Sequence, residues 1–191
     1  MQELISLDHE LFKYLNNLGQ SNWDAFWLVV TNKLTWIPLY IGLIVYLCRV
    51  YKWQQVLYVL ILTALLIVAA DQLANVFKNG FERFRPCHTP SLQGNFRPVD
   101  CEGRGRYGFY SAHAANHMAL AFFIGSIFRN KIKILLPILV IWALLIGYSR
   151  IYVGVHFPGD VLVGFFIGLL LGVIFYKIYL YFLPKVMKST N

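Results

Sequence analysis

Apolar residues run along this chain in long blocks separated by short polar stretches. The blocks near 34–51, 54–77, 112–128, 132–152 and 160–183 each approach the roughly 20 residues a helix needs to cross a bilayer. Asn32 and Lys33 separate the first block from Phe26-Trp27-Leu28-Val29-Val30, so the pattern allows five to six transmembrane helices. Ahead of them Leu4, Leu7, Leu11, Leu15 and Leu18 recur at helical spacing, with Asp8, Glu10, Lys13 and Asn17 mostly on other faces and Gly19 where a helix would stop. This spacing predicts an amphipathic helix over 3–18 that lies at the membrane surface. Ser21 and Asp24 supply a cap and an acidic first turn for a second short surface helix leading into the first span. The expected fold class is all-α, a polytopic membrane helix bundle with an N-terminal amphipathic surface helix.

Composition strengthens the membrane reading. The 191 residues are 58% hydrophobic and 17% aromatic, against roughly 45–50% apolar residues in soluble domains. Glu3, Asp8 and Glu10 occupy the stretch where a cleavable signal peptide would be basic and then apolar, so the spans are expected to direct their own insertion. Five spans would put the 49–54 loop, the 129–133 loop and the C-terminal tail on one face. That face holds Arg49, Lys52, Arg129, Lys131, Lys133, Lys185 and Lys188 and no acid, which makes it cytoplasmic. The N-terminus, the 78–111 loop and the 153–159 turn then share the exported face. The net charge of +8 serves topology and contact with anionic lipid, and no nucleic-acid partner is expected. No repeat or linker divides the chain, so residues 1–191 read as one integral-membrane domain, and nothing in the pattern demands an oligomer.

Three polar clusters interrupt this apolar background at the ends of spans: Lys78 to Pro86, Tyr110 to His113, and Ser149 to Asp160. A charged side chain at or near membrane depth costs roughly 2.5–3.5 kcal/mol on insertion scales, so such clusters mark substrate or ion sites. The proposed topology puts all three at the exported face, around one ligand. Lys78, Arg85 and Arg150 supply the fixed positive charge that phosphoryl transfer requires, and Ser111 with the first amides of the third span supplies hydrogen-bond donors. His156 and His113 provide a nucleophile and a proton donor, with Asp160 holding one ring nitrogen of His156. The His and Asp spacings match no usual zinc pattern, and the neighbouring cations would repel a metal, so neither metal nor cofactor is expected.

These residues resemble the type 2 phosphatidic acid phosphatase superfamily, which includes membrane lipid phosphatases, soluble vanadium haloperoxidases and bacterial acid phosphatases. Its K-x6-R-P motif matches Lys78, Arg85 and Pro86, and its S-R-x5-H-x3-D motif matches Ser149, Arg150, His156 and Asp160. The middle motif, usually P-S-G-H, stands here as Tyr110-Ser111-Ala112-His113, with Tyr for Pro and Ala for Gly. The resemblance implies that His156 forms a phosphohistidine, that Asp160 orients it, that His113 is the general acid, and that Lys78, Arg85, Ser111 and Arg150 bind phosphate. The expected reaction is metal-independent removal of a phosphate or diphosphate from a membrane lipid. The expected substrate is an envelope lipid such as undecaprenyl diphosphate, phosphatidylglycerol phosphate, phosphatidic acid or a lipid A phosphate, met at the outer face of a bacterial cytoplasmic membrane. A lipid phosphotransferase and a catalytically silent lipid-binding or transport protein are the alternatives, separated by whether phosphate is released, passed to a second lipid, or left in place.

Other polar residues receive plainer readings. Cys87 and Cys101 share the exported loop, where either a disulfide or two unpaired thiols fits the sequence, whereas Cys48 lies near the cytoplasmic end of the first span. His117 is expected to make a structural hydrogen bond and Asp71 to pair with a buried cation. His88, Arg83, Arg97, Arg104 and Arg106 are expected to face solvent or headgroups, with one of them at most touching substrate. Tyr107, Phe109 and Tyr110 suit an interfacial belt, and Gly164, Gly168 and Gly172 suit close helix packing.

Overall fold

The computed structural model describes residues 2–188, apart from the side chains of Lys185, Met187 and Lys188, so the topological reading of those two lysines lies outside the described groups. Among the described residues seven α-helices follow one another: α1 (Gln2–Asn17), α2 (Asp24–Thr31), α3 (Ile37–Val50), α4 (Trp53–Phe81), α5 (Ala112–Phe128), α6 (Leu135–Tyr152) and α7 (Pro158–Lys188). Among the described residues there is no strand, and a single isolated bridge joins Phe84 to Tyr107. Four stretches are long and apolar enough to cross a membrane: Lys33–Val50, Trp53–Phe81, Leu135–Tyr152 and Pro158–Pro184. Large apolar side chains such as Leu65, Ile141, Leu162 and Phe166 stand exposed on these helices, as lipid-facing surfaces do. The chain is a membrane protein.

The 17-residue α5 is the axis of the bundle. It buries residues on every side, among them Ala115, Met118, Ala121 and Phe123, because α4, α6 and α7 all pack on it. Its contact with α7 depends on small residues. A Cβ built on Gly164 would lie 2.6 Å from the Ser111 carbonyl oxygen, one on Gly168 2.3 Å from that of Ala115, and one on Gly172 2.7 Å from that of Ala119. The three glycines therefore let one backbone lie against the other. The same close approach sets the start of α7 beside the start of α5, where the Ser111 N–H donates to the Asp160 carbonyl at 3.0 Å.

Glu82, at φ 45°, stops α4 and turns the chain back over the bundle end, bringing Arg83 and Arg85 with it. The loop from there to Tyr110 is held by a disulfide between Cys87 and Cys101, with Cα atoms 5.7 Å apart. Gly154, at φ 84°, makes the turn between α6 and α7, where a side chain would be strained.

The N-terminal helix docks in a way its leucine stripe does not foretell. Leu4, Leu7, Leu11 and Leu18 point away from the protein, as an interfacial helix requires. The docking face is instead built around Phe12 and Asn16, both fully buried. Phe12 packs against Phe96 and Phe157, with ring centroids 5.5 and 5.3 Å away. The Asn16 amide donates to the carbonyls of Arg97, Ile151 and Tyr152 and accepts from the Arg97 N–H.

Candidate active site

The turn from α6 into α7 carries His156, whose side chain is 3% exposed. Its Nδ1 faces Asp160 Oδ2 at 3.4 Å, and its Nε2 lies 3.1 Å from Arg85 Nη1. The i to i+4 spacing noted in the sequence thus sets the carboxylate on the far side of the ring from the arginine. Asp160 is in the first turn of α7, and its Oδ2 also accepts from the Phe157 N–H at 3.1 Å, the backward reach of a helix-capping carboxylate. Its Oδ1 is held by Arg83 Nη1 at 2.7 Å. Arg83 continues to Asp8 of α1 at 2.5 Å, and Asp8 accepts in addition from the Gly159 N–H at 2.8 Å.

The cationic side of the site is partnered differently. Arg150, 2% exposed, donates through Nη1 to the Thr31 hydroxyl, and its buried Nε has no hydrogen-bond partner. Arg85 donates to the carbonyls of Tyr107 and Val155 at 3.2 and 3.1 Å. Neither arginine has a carboxylate within ion-pair distance among the described residues, and the half-buried Lys78 is likewise outside every such pair. Buried cations without a protein counter-charge are costly, and an anion among them relieves that cost. Gly108 keeps the floor open, since a Cβ there would lie 2.8 Å from Arg85 Cγ and 3.5 Å from His156 Nδ1.

Ser111 is fully buried at the cap of α5, its hydroxyl accepting from the Ala114 N–H at 3.5 Å, and His113 follows in the first helical turn. Burial first, then the charges of Arg85, Arg150, His113 and Lys78, hold the His156 imidazole well below its ordinary basicity. The three sequence clusters therefore act on one ring, and that ring is neutral, with a lone pair, at neutral pH. The ring thus has one nitrogen toward a carboxylate and the other beside a guanidinium group, and a neutral imidazole with a free lone pair is a chemically competent nucleophile.

Several residues differ from their plain sequence readings. Arg83 does not face solvent but ties Asp160 to Asp8, and neither Arg83 nor Asp8 carries a local signal, because their pairing depends on where α1 docks. Thr31 reaches Arg150 across 119 positions of chain. Asp71 pairs with the amide of Asn116 at 2.8 Å instead of with a cation, since no cationic side chain among the described residues comes within ion-pair distance of it. His117 has the structural role expected, with Nδ1 2.7 Å from the His113 carbonyl and its ring 4.8 Å from that of Trp142. Arg97 and Arg104 pair with Asp24 and Asp100, and Arg106 lies over Phe84.

A multi-pass bundle that presents a neutral imidazole and unpaired guanidinium groups at one end defines a membrane phosphatase by class. The chain belongs to the PAP2 superfamily, whose family model matches residues 53–184. It is 35% identical over 184 residues to the lipid A 4'-phosphatase of Porphyromonas gingivalis, a match covering 95% of this chain and 76% of that protein. Against the lipid A 4'-phosphatase of Bacteroides thetaiotaomicron it is 34% identical over 188 residues, covering 92% and 78%. The crystal structure of Aquifex aeolicus LpxE is similar at a TM-score of 0.68 and 27% identity, over 90% of this chain and 95% of that one.

Proposed function

We propose that this chain removes a phosphate monoester from lipid A by way of a phosphohistidine. The observation that carries the reading is the setting of His156, with Nδ1 toward Asp160 and Nε2 beside Arg85. In the first step, with His113 taking up a proton as the phosphate dianion binds, Nε2 attacks phosphorus, the bond from phosphorus to the sugar oxygen breaks, and the His113 imidazolium gives that proton to the departing alkoxide. Arg85, Arg150, Lys78 and Ser111 hold the non-bridging oxygens as charge gathers on them. In the second step His113 takes a proton from water, the water oxygen attacks the phosphohistidine, and free phosphate leaves with His156 neutral again.

Two further observations favour a lipid substrate of this kind. Similarity to the two lipid A phosphatases extends over nearly the whole chain, including the N-terminal helices that precede the family match. A cavity of about 310 Å³ lies among α3, α4, α5 and α6, walled by Leu47, Val59, Leu120 and Leu139, and includes His117 one helical turn from His113. An acyl chain in that cavity would leave its headgroup at the cationic cluster. The distribution of Lys and Arg supports a site open to the periplasmic side of the inner membrane. The test is phosphate release by purified protein from lipid A, undecaprenyl diphosphate, phosphatidylglycerol phosphate and phosphatidic acid, with and without chelator. Release from lipid A that persists in chelator and vanishes in His156→Ala is expected; release from another lipid alone would overturn the substrate assignment.

A further inference from the structure

The amphipathic helix reaches the site through Asp8. One of its oxygens lies 2.5 Å from Arg83 Nη2, and the other accepts from the Gly159 N–H at 2.8 Å. Arg83 holds Asp160 Oδ1 at 2.7 Å with its other terminal nitrogen, and its guanidinium lies 4.5 Å over the Phe157 ring. Asp160 Oδ2 then faces His156 Nδ1 at 3.4 Å. A continuous chain of polar contacts runs from the N-terminal helix to the Asp160 carboxylate, whose Oδ2 faces the neutral imidazole at a nitrogen that has no hydrogen-bond partner.

Each link removes a freedom that would otherwise blur the site. A carboxylate turns about its terminal bond, and which oxygen meets the imidazole depends on what grips the other. Arg83 grips Oδ1, leaving Oδ2 to the Phe157 N–H and the ring. Arg83 is itself long and flexible, and a bound phosphate dianion would attract its charge. Asp8 occupies its second nitrogen and gives it a counter-charge, so the guanidinium does not turn toward the phosphate and draw Asp160 with it. The contact with Gly159 fixes the start of α7 against the same carboxylate. The helix that carries Asp8 is anchored independently by Phe12 and Asn16, so Asp8 is free to act on the site.

We propose that Asp8 is a positioning residue for phosphoryl transfer: by holding Arg83 and the Gly159 N–H it sets the Asp160 carboxylate against His156. This makes the amphipathic helix a working part of the active site, and it rests on the nucleophile role given to His156 above.

The test uses full-length protein in detergent micelles with lipid A as substrate, comparing wild type, Asp8→Asn, Asp8→Glu, Arg83→Gln, the Asp8→Asn/Arg83→Gln double variant and His156→Ala. A slightly misplaced reacting group costs about 100-fold, so Asp8→Asn is expected to lower kcat by about 10-fold to 100-fold while KM stays within about twofold. Asp8→Glu should recover most of the loss, and the double variant should be no slower than Arg83→Gln alone, because both changes break one chain of contacts. Alkaline-quenched single-turnover measurements should show a slower rate constant for phosphoenzyme formation at undiminished amplitude. A normal rate constant with reduced amplitude would mean that Asp8 only stabilises the fold, and would overturn the proposal. Multiplying effects of Asp8→Asn and Arg83→Gln would overturn it too. An unchanged kcat in Asp8→Asn beside a dead His156→Ala defeats the positioning role alone, whereas an active His156→Ala, or a wild type silent on lipid A, defeats the reading beneath it and the proposal with it.

Discussion

The two sides of the active site are built on opposite plans. On the carboxylate side, Asp160 is gripped by Arg83 and the Phe157 N–H, and Arg83 by Asp8, so that side is finished before any ligand arrives. On the cationic side, Arg150 has one hydroxyl for a partner and Arg85 has carbonyls, while no carboxylate pairs with either or with Lys78 among the described residues. The carboxylate that faces the imidazole is fixed by contacts within the protein, whereas the arginines and Lys78 have no protein counter-charge among the described residues, which suits them to the phosphate proposed above.

The sharpest break in that contrast is His156→Ala, which removes the ring common to both sides; turnover should fall by at least about 10⁴-fold, read as phosphate release from lipid A. Arg150→Ala should follow with a loss of about 2–4 kcal/mol of transition-state stabilisation in kcat/KM, and Lys there should rescue poorly because the fork geometry is lost. Thr31→Val leaves Arg150 in place without its acceptor. A hydrogen bond to a charged group is worth about 1.5–3 kcal/mol, so kcat/KM should drop by the lower part of that range. Gly108→Ala pushes a methyl group to 2.8 Å from Arg85 Cγ, an overpacking that costs about 1–3 kcal/mol unless the side chain shifts, and the effect should again appear in kcat/KM.

The smallest effect concerns pH. The folded protein holds the His156 imidazole well below its ordinary basicity, chiefly through burial. An unfolded chain binds a proton at that residue below about pH 6.5, which the folded chain refuses, so stability should decline as the pH falls through and below that value. Thermal unfolding in detergent between neutral and mildly acidic pH should show the slope, and His156→Asn should flatten it. Phosphoenzyme formation should show no acid limb belonging to His156 itself.

The residues proposed for the site were legible as candidates because their signals are local. Lys78, Arg85, Ser111, His113, Arg150, His156 and Asp160 each break an apolar pattern at or near the end of a predicted span, and alternating span directions predict that they share one end of the bundle. The supporting residues have no such signal. Asp8 reads as one polar position on a surface helix, Arg83 as one of several loop arginines and Thr31 as the end of a short helix; each acquires its role from a partner at least 75 positions away.

Hydropathy and spacing alone determined that the chain is a helical membrane protein, because the cost of burying a polar backbone or charge in lipid is paid residue by residue and leaves its mark in the sequence. They also singled out the charged residues that a functional site would have to explain. Only the tertiary structure decided that the leucine face of α1 turns outward while Asp8 turns toward the site, and that three glycines of α7 draw Asp160 up to Ser111. Those outcomes depend on shape complementarity between helices distant in the chain, and the local pattern carries no record of which surfaces will meet.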